Sequence, residues 1–181
     1  MYEKIISLLT DKGVKFDVGL SKSEIDKIEK IYEFHFPLSL RCFLEECLPI
    51  SKGFYNWRNF KTDNIERIKE KIKKPVNDIL ELADEVPWCD KWGKEPEDRT
   101  VFFQIVKKMI KEAPVVIPIY AHRYMPEIMN GDVPIISIHG VDIIYYGCNL
   151  EEYFLIEFGE PKQENLNYSG ITKIPFWSDI M

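Results

Sequence analysis

Three consecutive residues near the middle of the chain have side chains that could do chemistry: His122, Arg123 and Tyr124. An imidazole, a guanidinium and a phenol can move protons and hold an anion if they share a pocket. The residues that we expect near this triplet are Trp88, Trp92 and Asp142. Convergence of all six would form an acid–base pocket, which would favour a small ligand-binding protein or enzyme.

A structural interpretation of the same residues is the one we favour. Arg123 would pair with an acid such as Asp142, and His122 would cap a backbone group. Together they would fix a β-hairpin to the loop at 86–96, which is rich in tryptophan, glycine and proline. In this interpretation the cluster stabilises the fold and touches no substrate.

Other motifs of catalysis or metal binding are missing from the sequence. The three histidines, His35, His122 and His139, have no ligand spacing such as HxH or HExxH. The four cysteines show no CxxC pair, which favours reduced thiols and a cytoplasmic protein. Neither a GxSxG elbow nor a phosphate-binding glycine loop is present. We therefore expect no enzyme activity, no metal and no cofactor.

The elements that must position the triplet lie between residues 115 and 158. Val115 to Tyr120 is a β-branched run with prolines, which predicts a short or edge strand. Ile135 to Ile138 and Val141 to Tyr146 flank His139-Gly140 and predict an antiparallel hairpin. The second of these runs is apolar on both faces, which predicts a central strand. Asn149, with Glu152 three residues later, predicts a capped helix.

Helical periodicity dominates the rest of the chain, and Ser21, with Glu24 three residues later, predicts a capping box at one helix start. The sequence predicts helices at 2–9, 20–32, 36–48, from 62 or 63 onwards, and 97–113, with a break or kink at Pro75. A C-terminal tail from 165 to 181 carries apolar residues and is expected to dock on the body, with a strand as one option. With 181 residues and 45% hydrophobic content, we predict one α+β domain: N-terminal helices at about 1–48, sheet, loop and helices at about 50–158, and a docked tail at 159–181.

The net charge of −6 is concentrated in one window. Between Tyr124 and Gln163, seven acidic residues face a single lysine. A local acidic field repels nucleic acid and favours a basic partner, although a solvated acidic face that only aids solubility is an equal alternative. No stretch predicts a membrane helix or a secretory leader. The acidic candidates for partner contact are Glu127, Asp132, Asp142, Glu151 and Glu152.

Several motifs resemble the SUKH superfamily. LSKSEIDKIEKIYEFHFPLSLRCFL (20–44) resembles its opening, with the P-x-x-x-x-x-F-L element at 37–44. KWGKEP (91–96), APVVIPIYAHRYMPE (113–127) and VDIIYYGCNLEEYF (141–154) look like segments of one bacterial branch. The resemblance spans roughly residues 20–158, and the later segments are the more specific. Ala121 departs from the glycine expected there, which puts the turn before His122 in doubt.

The resemblance implies an α+β fold, with helices around a mostly antiparallel sheet, and no enzymatic activity. Bacterial members of the superfamily are similar to immunity proteins, which neutralise toxins, often nucleases, by direct binding. Fungal relatives regulate cell-wall synthesis through protein contacts. We therefore expect an immunity-type cytoplasmic protein that binds a basic toxin and neither nucleic acid nor membrane. A regulator or scaffold that binds another cellular protein is the alternative.

Overall fold

A four-stranded antiparallel sheet lies at the centre of the fold. The computed structural model describes residues 2–160 and 162–181, so Met1 and Pro161, which the predicted boundaries include, lie outside it. The strands follow each other in the sheet in chain order: β3 (Val116–Tyr120), β4 (Arg123–Pro126), β5 (Ile135–His139) and β6 (Asp142–Gly147). The α+β fold class is confirmed.

Six helices and a second, two-stranded sheet complete the described part of the chain. The helices are α1 (Glu3–Asp11), α2 (Lys22–Tyr32), α3 (Leu38–Glu46), α4 (Thr62–Glu81), α5 (Arg99–Lys111) and α6 (Leu150–Phe158). The small sheet pairs β1 (Phe16–Val18) with β2 (Cys47–Pro49). Short 3₁₀ turns lie at Ala83–Glu85, Asp90–Trp92 and Gln163–Asn165.

Two helix starts follow the predicted capping chemistry. The Ser21 side chain accepts a hydrogen bond from the Glu24 amide at 3.3 Å, and Glu24 accepts one from the Ser21 amide at 2.8 Å. At α6 the Asn149 side chain accepts from the Glu152 amide at 2.9 Å. Glu152 in turn accepts a hydrogen bond from the backbone amide of Cys148 at 2.6 Å. These bonds satisfy amides that a helix N-terminus leaves without intrahelical partners.

The two faces of the central sheet bury two separate hydrophobic clusters. Met125 and Ile135 belong to the cluster that also contains side chains of α1, α2, α3 and α6. Tyr124 and Ile136 belong to the cluster formed with α4, α5 and the C-terminal tail. The alternation of side chains along a strand therefore decides which cluster each residue of β4 joins.

The chain between residues 16 and 49 differs from the prediction. Helix α3 ends at Glu46, and the next three residues form β2 instead of a last helical turn. Strand β1 was not predicted, because three residues with two exposed side chains give no periodic signal. Gly19 lies so close to the Glu45 carbonyl that a Cβ there would be 1.8 Å from its oxygen. That contact fixes how β1 leads into α2.

Pro75 does not end a helix, so of the two predicted alternatives, a break or a kink, the break is wrong. Helix α4 runs for 20 residues with Pro75 inside it. A proline has no amide hydrogen, so the carbonyl of Lys71, four residues earlier, loses its usual helical donor. The Tyr124 hydroxyl donates to that carbonyl at 3.4 Å. A side chain from the sheet thus partly replaces the missing helical bond.

The predicted hairpin is confirmed, but its second strand lies at the edge of the sheet. β6 pairs with β5 alone among the described strands, and its side chains alternate between exposed and buried. β3 is the other edge, as its prolines predicted. The tail contains no strand in its described residues, yet it docks tightly: Trp177 is 0% exposed and donates to the Pro114 carbonyl at 3.1 Å.

Candidate functional site

The extended backbone at β4 keeps His122, Arg123 and Tyr124 from sharing one pocket. Arg123 pairs with Ser137, and Tyr124 with Ile136, in the register between β4 and β5. Neighbouring residues of a strand point to opposite faces, so Arg123 and Tyr124 lie on opposite sides of the sheet. The triplet is therefore not a single acid–base pocket.

Arg123 is the centre of a buried polar network on the α6 side of the sheet. Its Nε donates to Glu157 Oε2 at 3.0 Å and its Nη1 to Ser137 Oγ at 2.9 Å. Its guanidinium carbon lies 3.8 Å from the centroid of the Tyr146 ring, a cation–π contact. Arg123 is only 9% exposed, so ion pair, hydroxyl and ring together compensate its burial.

The predicted partner of Arg123 was wrong. Asp142 is exposed at the β5–β6 turn, and the ion pair is made with Glu157 of α6. Arg123 therefore fixes the sheet to α6 and does not fix the hairpin to the tryptophan loop. Among residues 2–160 and 162–181, no hydrogen bond joins the His122 ring to a backbone group; its Nε2 contacts Nη1 of Arg123. Arg123 therefore stabilises the fold, as the structural interpretation proposes, but through partners other than the predicted ones.

The turn before this network contains Ala121, the position at which the sequence resemblance led us to expect glycine. Ala121 has φ 49°, a left-handed conformation that favours glycine. Its amide donates to the Gly53 carbonyl at 2.9 Å, and its carbonyl accepts from the Tyr55 hydroxyl at 2.7 Å. These two bonds hold the turn in a conformation that alanine disfavours.

Tyr124 and His122 line an open cleft of about 540 Å³ between α4 and the β5–β6 turn. We call it the His122 cleft. Its apolar wall includes Pro75 and Ile138, and its other charged or titratable lining residues are Lys71, Lys74, Asp78, Glu85, His139 and Asp142. The structure thus brings His122, Tyr124 and Asp142 of the predicted cluster to one place.

Positive charge surrounds the imidazole in this cleft. Burial, then Arg123, His139 and Lys71 lower the pKa of His122 below its usual 6.5. The rings of His122 and His139 lie 6.3 Å apart, edge to face. Burial also raises the pKa of Tyr124 above its usual 10. At neutral pH both His122 and Tyr124 are therefore uncharged.

Trp88 and Trp92 lie elsewhere and join the tail. Their rings meet edge to face at 5.5 Å, and Trp92 stacks on Phe176 at 5.8 Å. Trp88 packs against Phe102 at 5.2 Å, and its indole N–H donates to the Gly93 carbonyl at 2.8 Å. These contacts anchor the loop and the tail to α5, so neither tryptophan lines the His122 cleft.

The acids of the charged window divide into two groups. Three are committed to the fold: Glu127 accepts from the His35 amide at 2.7 Å, Glu152 caps α6, and Glu157 holds Arg123. The exposed acids, whose side chains have no ion pair or hydrogen bond among residues 2–160 and 162–181, are Asp132, Asp142, Glu151 and Glu160. Three of the seven acids in this window thus stabilise the fold, and four remain available to a partner.

Two of the exposed acids lie where α6 begins. Thr172 donates to the Asp132 carbonyl at 2.9 Å, which joins the 130–132 loop to the tail. The Cys148 thiol contacts the Asn167 carbonyl at 3.4 Å. Burial first, then Glu152 and lastly the charge of Asp132, raise the pKa of that thiol to about 11. Glu151 occupies the first turn of α6. We call this region, with the exposed ring of Tyr168, the α6 surface: Asp132, Glu151, Asn167, Tyr168 and Thr172.

Residues that the sequence did not single out complete both sites. Ser137 and Glu157 bind Arg123, while Lys71 and His139 flank His122. His139 had one signal, its place in the hairpin turn beside Asp142. Ser137 meets Arg123 through the register between β4 and β5. Lys71 and Glu157 became neighbours of the triplet only through the packing of α4 and α6 on the sheet, which spacing along the chain does not indicate.

Comparisons with protein-family models, with curated proteins and with solved structures found no match. Within the described residues, no group of three or more histidine, cysteine, aspartate or glutamate side chains is arranged to hold a metal ion. None of the described helices combines the length and the apolar character needed to cross a membrane.

Proposed function

We propose that this chain is a non-enzymatic, cytoplasmic protein-binding domain of the immunity type, and that it neutralises a basic toxin, such as a nuclease, by direct binding. The observation that carries the proposal is the α6 surface. Its acids Asp132 and Glu151 are exposed and serve no ion pair among the described residues. The macrodipole of α6 accounts for an acid at Glu151, but nothing of that kind accounts for Asp132.

Apolar groups beside these acids add to the argument. Tyr168 is 54% exposed, and Met129, in the same loop as Asp132, is 52% exposed. Protein interfaces commonly combine exposed aromatic or methionine anchors with a charged rim. The rim charges steer a partner of opposite sign, and the anchors contribute affinity once it is bound.

A regulatory or scaffolding protein would use the same surface, so the partner decides between the two roles. The resemblance to SUKH immunity proteins favours a toxin. All four cysteines are free thiols, which fits a reducing cytoplasm. A gene for a toxin beside the gene for this chain would further favour the immunity role.

The experiment begins with a pull-down from the source cell, followed by mass spectrometry and production of the recovered partner. Stopped-flow association is then measured for the wild type and for Asp132→Asn with Glu151→Gln, over a range of ionic strength. The double variant should associate roughly tenfold more slowly at low salt, with a much smaller change in dissociation. Added salt should slow the wild type in the same way.

A matched variant controls for net charge. Glu81→Gln with Glu112→Gln removes two exposed acids at the ends of α4 and α5 and should leave the on-rate unchanged. Equal slowing by both double variants would mean that only total charge matters. A flat salt dependence, or a partner that is not basic, would refute the proposal.

A further inference from the structure

None of the residues that line the His122 cleft belongs to the α6 surface. It combines an apolar wall with titratable groups at its rim, the usual composition of a site for a small molecule. Pro75 and Ile138 contribute to that wall, and the Tyr124 hydroxyl is already engaged with the Lys71 carbonyl. The groups left for a ligand are therefore the charged ones.

One set of the lining residues can supply positive charge and hydrogen-bond donors. Lys71 has no ion pair among the described residues, and its charge acts on His122 together with those of Arg123 and His139. Arg123 itself is paired with Glu157 on the other face of the sheet. Two imidazoles and one free ammonium group thus face a shared space, a set of donors suited to phosphate or carboxylate oxygens.

The acids of the lining offer acceptors, and one of them, Asp142, is the cross-strand partner of His139. Lys74 and Asp78 neutralise each other through contacts of 2.6 and 2.7 Å. The exposed carboxylates of Glu85 and Asp142 also border the cleft and have no ion pair among the described residues. These carboxylates would repel a simple dianion but would accept hydrogen bonds from an amino or hydroxyl group.

We propose that the His122 cleft binds a small organic phosphate or carboxylate, with its anionic group beside Lys71, His122 and His139 and with an amino or hydroxyl group beside Asp142 and Glu85. Bound anion favours the charged imidazole, so His122 gains a proton on binding and gives up the contact of its Nε2 with Nη1 of Arg123. Affinity therefore rises as the pH falls through the ordinary histidine range. The cleft and the α6 surface are separate sites.

The probes are four compounds: phosphoethanolamine, β-alanine, inorganic phosphate and ethanolamine. Nuclear magnetic resonance of the isotopically labelled full chain follows the side-chain signals of His122 and His139 during each titration at constant ionic strength. Phosphoethanolamine, β-alanine or both should bind saturably, at least roughly tenfold more tightly than inorganic phosphate or ethanolamine. The tighter of the two identifies the anionic group. The pKa of His122 should rise in the complex.

Lys71→Met should weaken this binding roughly tenfold by removing one charged hydrogen bond. Lys69→Met, two residues earlier on the exposed surface of α4, should leave it unchanged. Asp142→Asn should weaken phosphoethanolamine and β-alanine while sparing inorganic phosphate. Equal weak binding of all four compounds, or indifference to Lys71→Met, would overturn the proposal. Binding to the protein partner of the α6 surface is measured in parallel and should not depend on Lys71.

Discussion

Arg123 and Tyr124 are neighbours in the chain, yet they belong to very different environments. On the side of Arg123 each charge is matched: the guanidinium has a carboxylate, a hydroxyl and an aromatic ring. On the side of Tyr124 the sheet borders an open cleft. The cleft contains two histidines and Lys71, which has no ion pair among the described residues. One face of β4 is therefore occupied with holding the fold together, while the other leaves charge available for a ligand.

This difference shows how a strand distributes a cluster of reactive residues. Three consecutive side chains cannot all face one pocket when the backbone is extended, because the side chains alternate. His122 precedes β4, which lets its ring reach the cleft while its Nε2 still contacts Arg123. The histidine is thus the link between the structural face and the open one.

The largest expected effect is on the closed face. Arg123→Ala should lower the free energy of unfolding by about 3 kcal/mol, because it leaves the Glu157 carboxylate partly buried and unpaired. The two side chains are only 11% and 17% exposed, so solvent screens the pair weakly. Chemical denaturation of both proteins measures the change.

A double-mutant cycle isolates the pair. Adding Glu157→Gln to Arg123→Ala should recover part of the loss, since the orphaned charge is removed. Lys162→Ala breaks an ion pair whose partners are 76% and 71% exposed and should not change stability measurably. If Arg123→Ala leaves the denaturation curve unchanged but abolishes binding to the partner, Arg123 belongs to the functional surface instead.

Local signals in the sequence were enough for most of the fold. The capping residues of α2 and α6, the apolar hairpin and the proline-containing edge strand β3 each rest on interactions within a few residues. The elements that were predicted wrongly depend on contacts between residues that are far apart in the chain. β1 exists because it pairs with β2, and β6 is an edge because the chain leaves the sheet for α6. α4 continues through Pro75 because packing favours a long helix there.

The candidate site was predicted less well for the same reason. Neighbours in the chain supplied His122 and Tyr124, but Lys71 reaches them from a helix more than fifty residues earlier. Glu157 was counted only as part of an acidic window, because its pairing with Arg123 depends on how α6 lies across the sheet. The total charge of the acidic window was therefore a poor guide to how many of its acids remain available to a partner.

The turn that leads into β4 allows the backbone strain at Ala121 to be measured. Ala121→Gly should raise the free energy of unfolding by about 1 kcal/mol, since glycine adopts the left-handed conformation without the steric cost that alanine bears. The backbone bonds to Gly53 and from Tyr55 use no atom of the alanine side chain and should persist. Thermal and chemical denaturation measure the gain. Ala113→Gly, at a position without positive φ, should be neutral or destabilising. A destabilised Ala121→Gly protein would mean that the alanine methyl group contributes packing that outweighs the strain.

The smallest expected effect is on the open face, where Tyr124 compensates for the proline in α4. Tyr124→Phe keeps the ring in the core and removes only the hydroxyl that reaches the Lys71 carbonyl. The bond is long, at 3.4 Å, so the expected loss is about 0.5 kcal/mol, near the low end for one hydrogen bond.

Pro75→Ala returns an amide hydrogen to α4, and that amide can bond the same carbonyl. In the Pro75→Ala background, Tyr124→Phe should therefore cost less than it does in the wild type, because the carbonyl has a second donor. Chemical denaturation of the four proteins in this cycle gives the coupling energy directly. Identical costs in the two backgrounds would show that the hydroxyl serves the cleft and not the helix, and Tyr124 would then join Lys71 and His122 as a group available to a ligand.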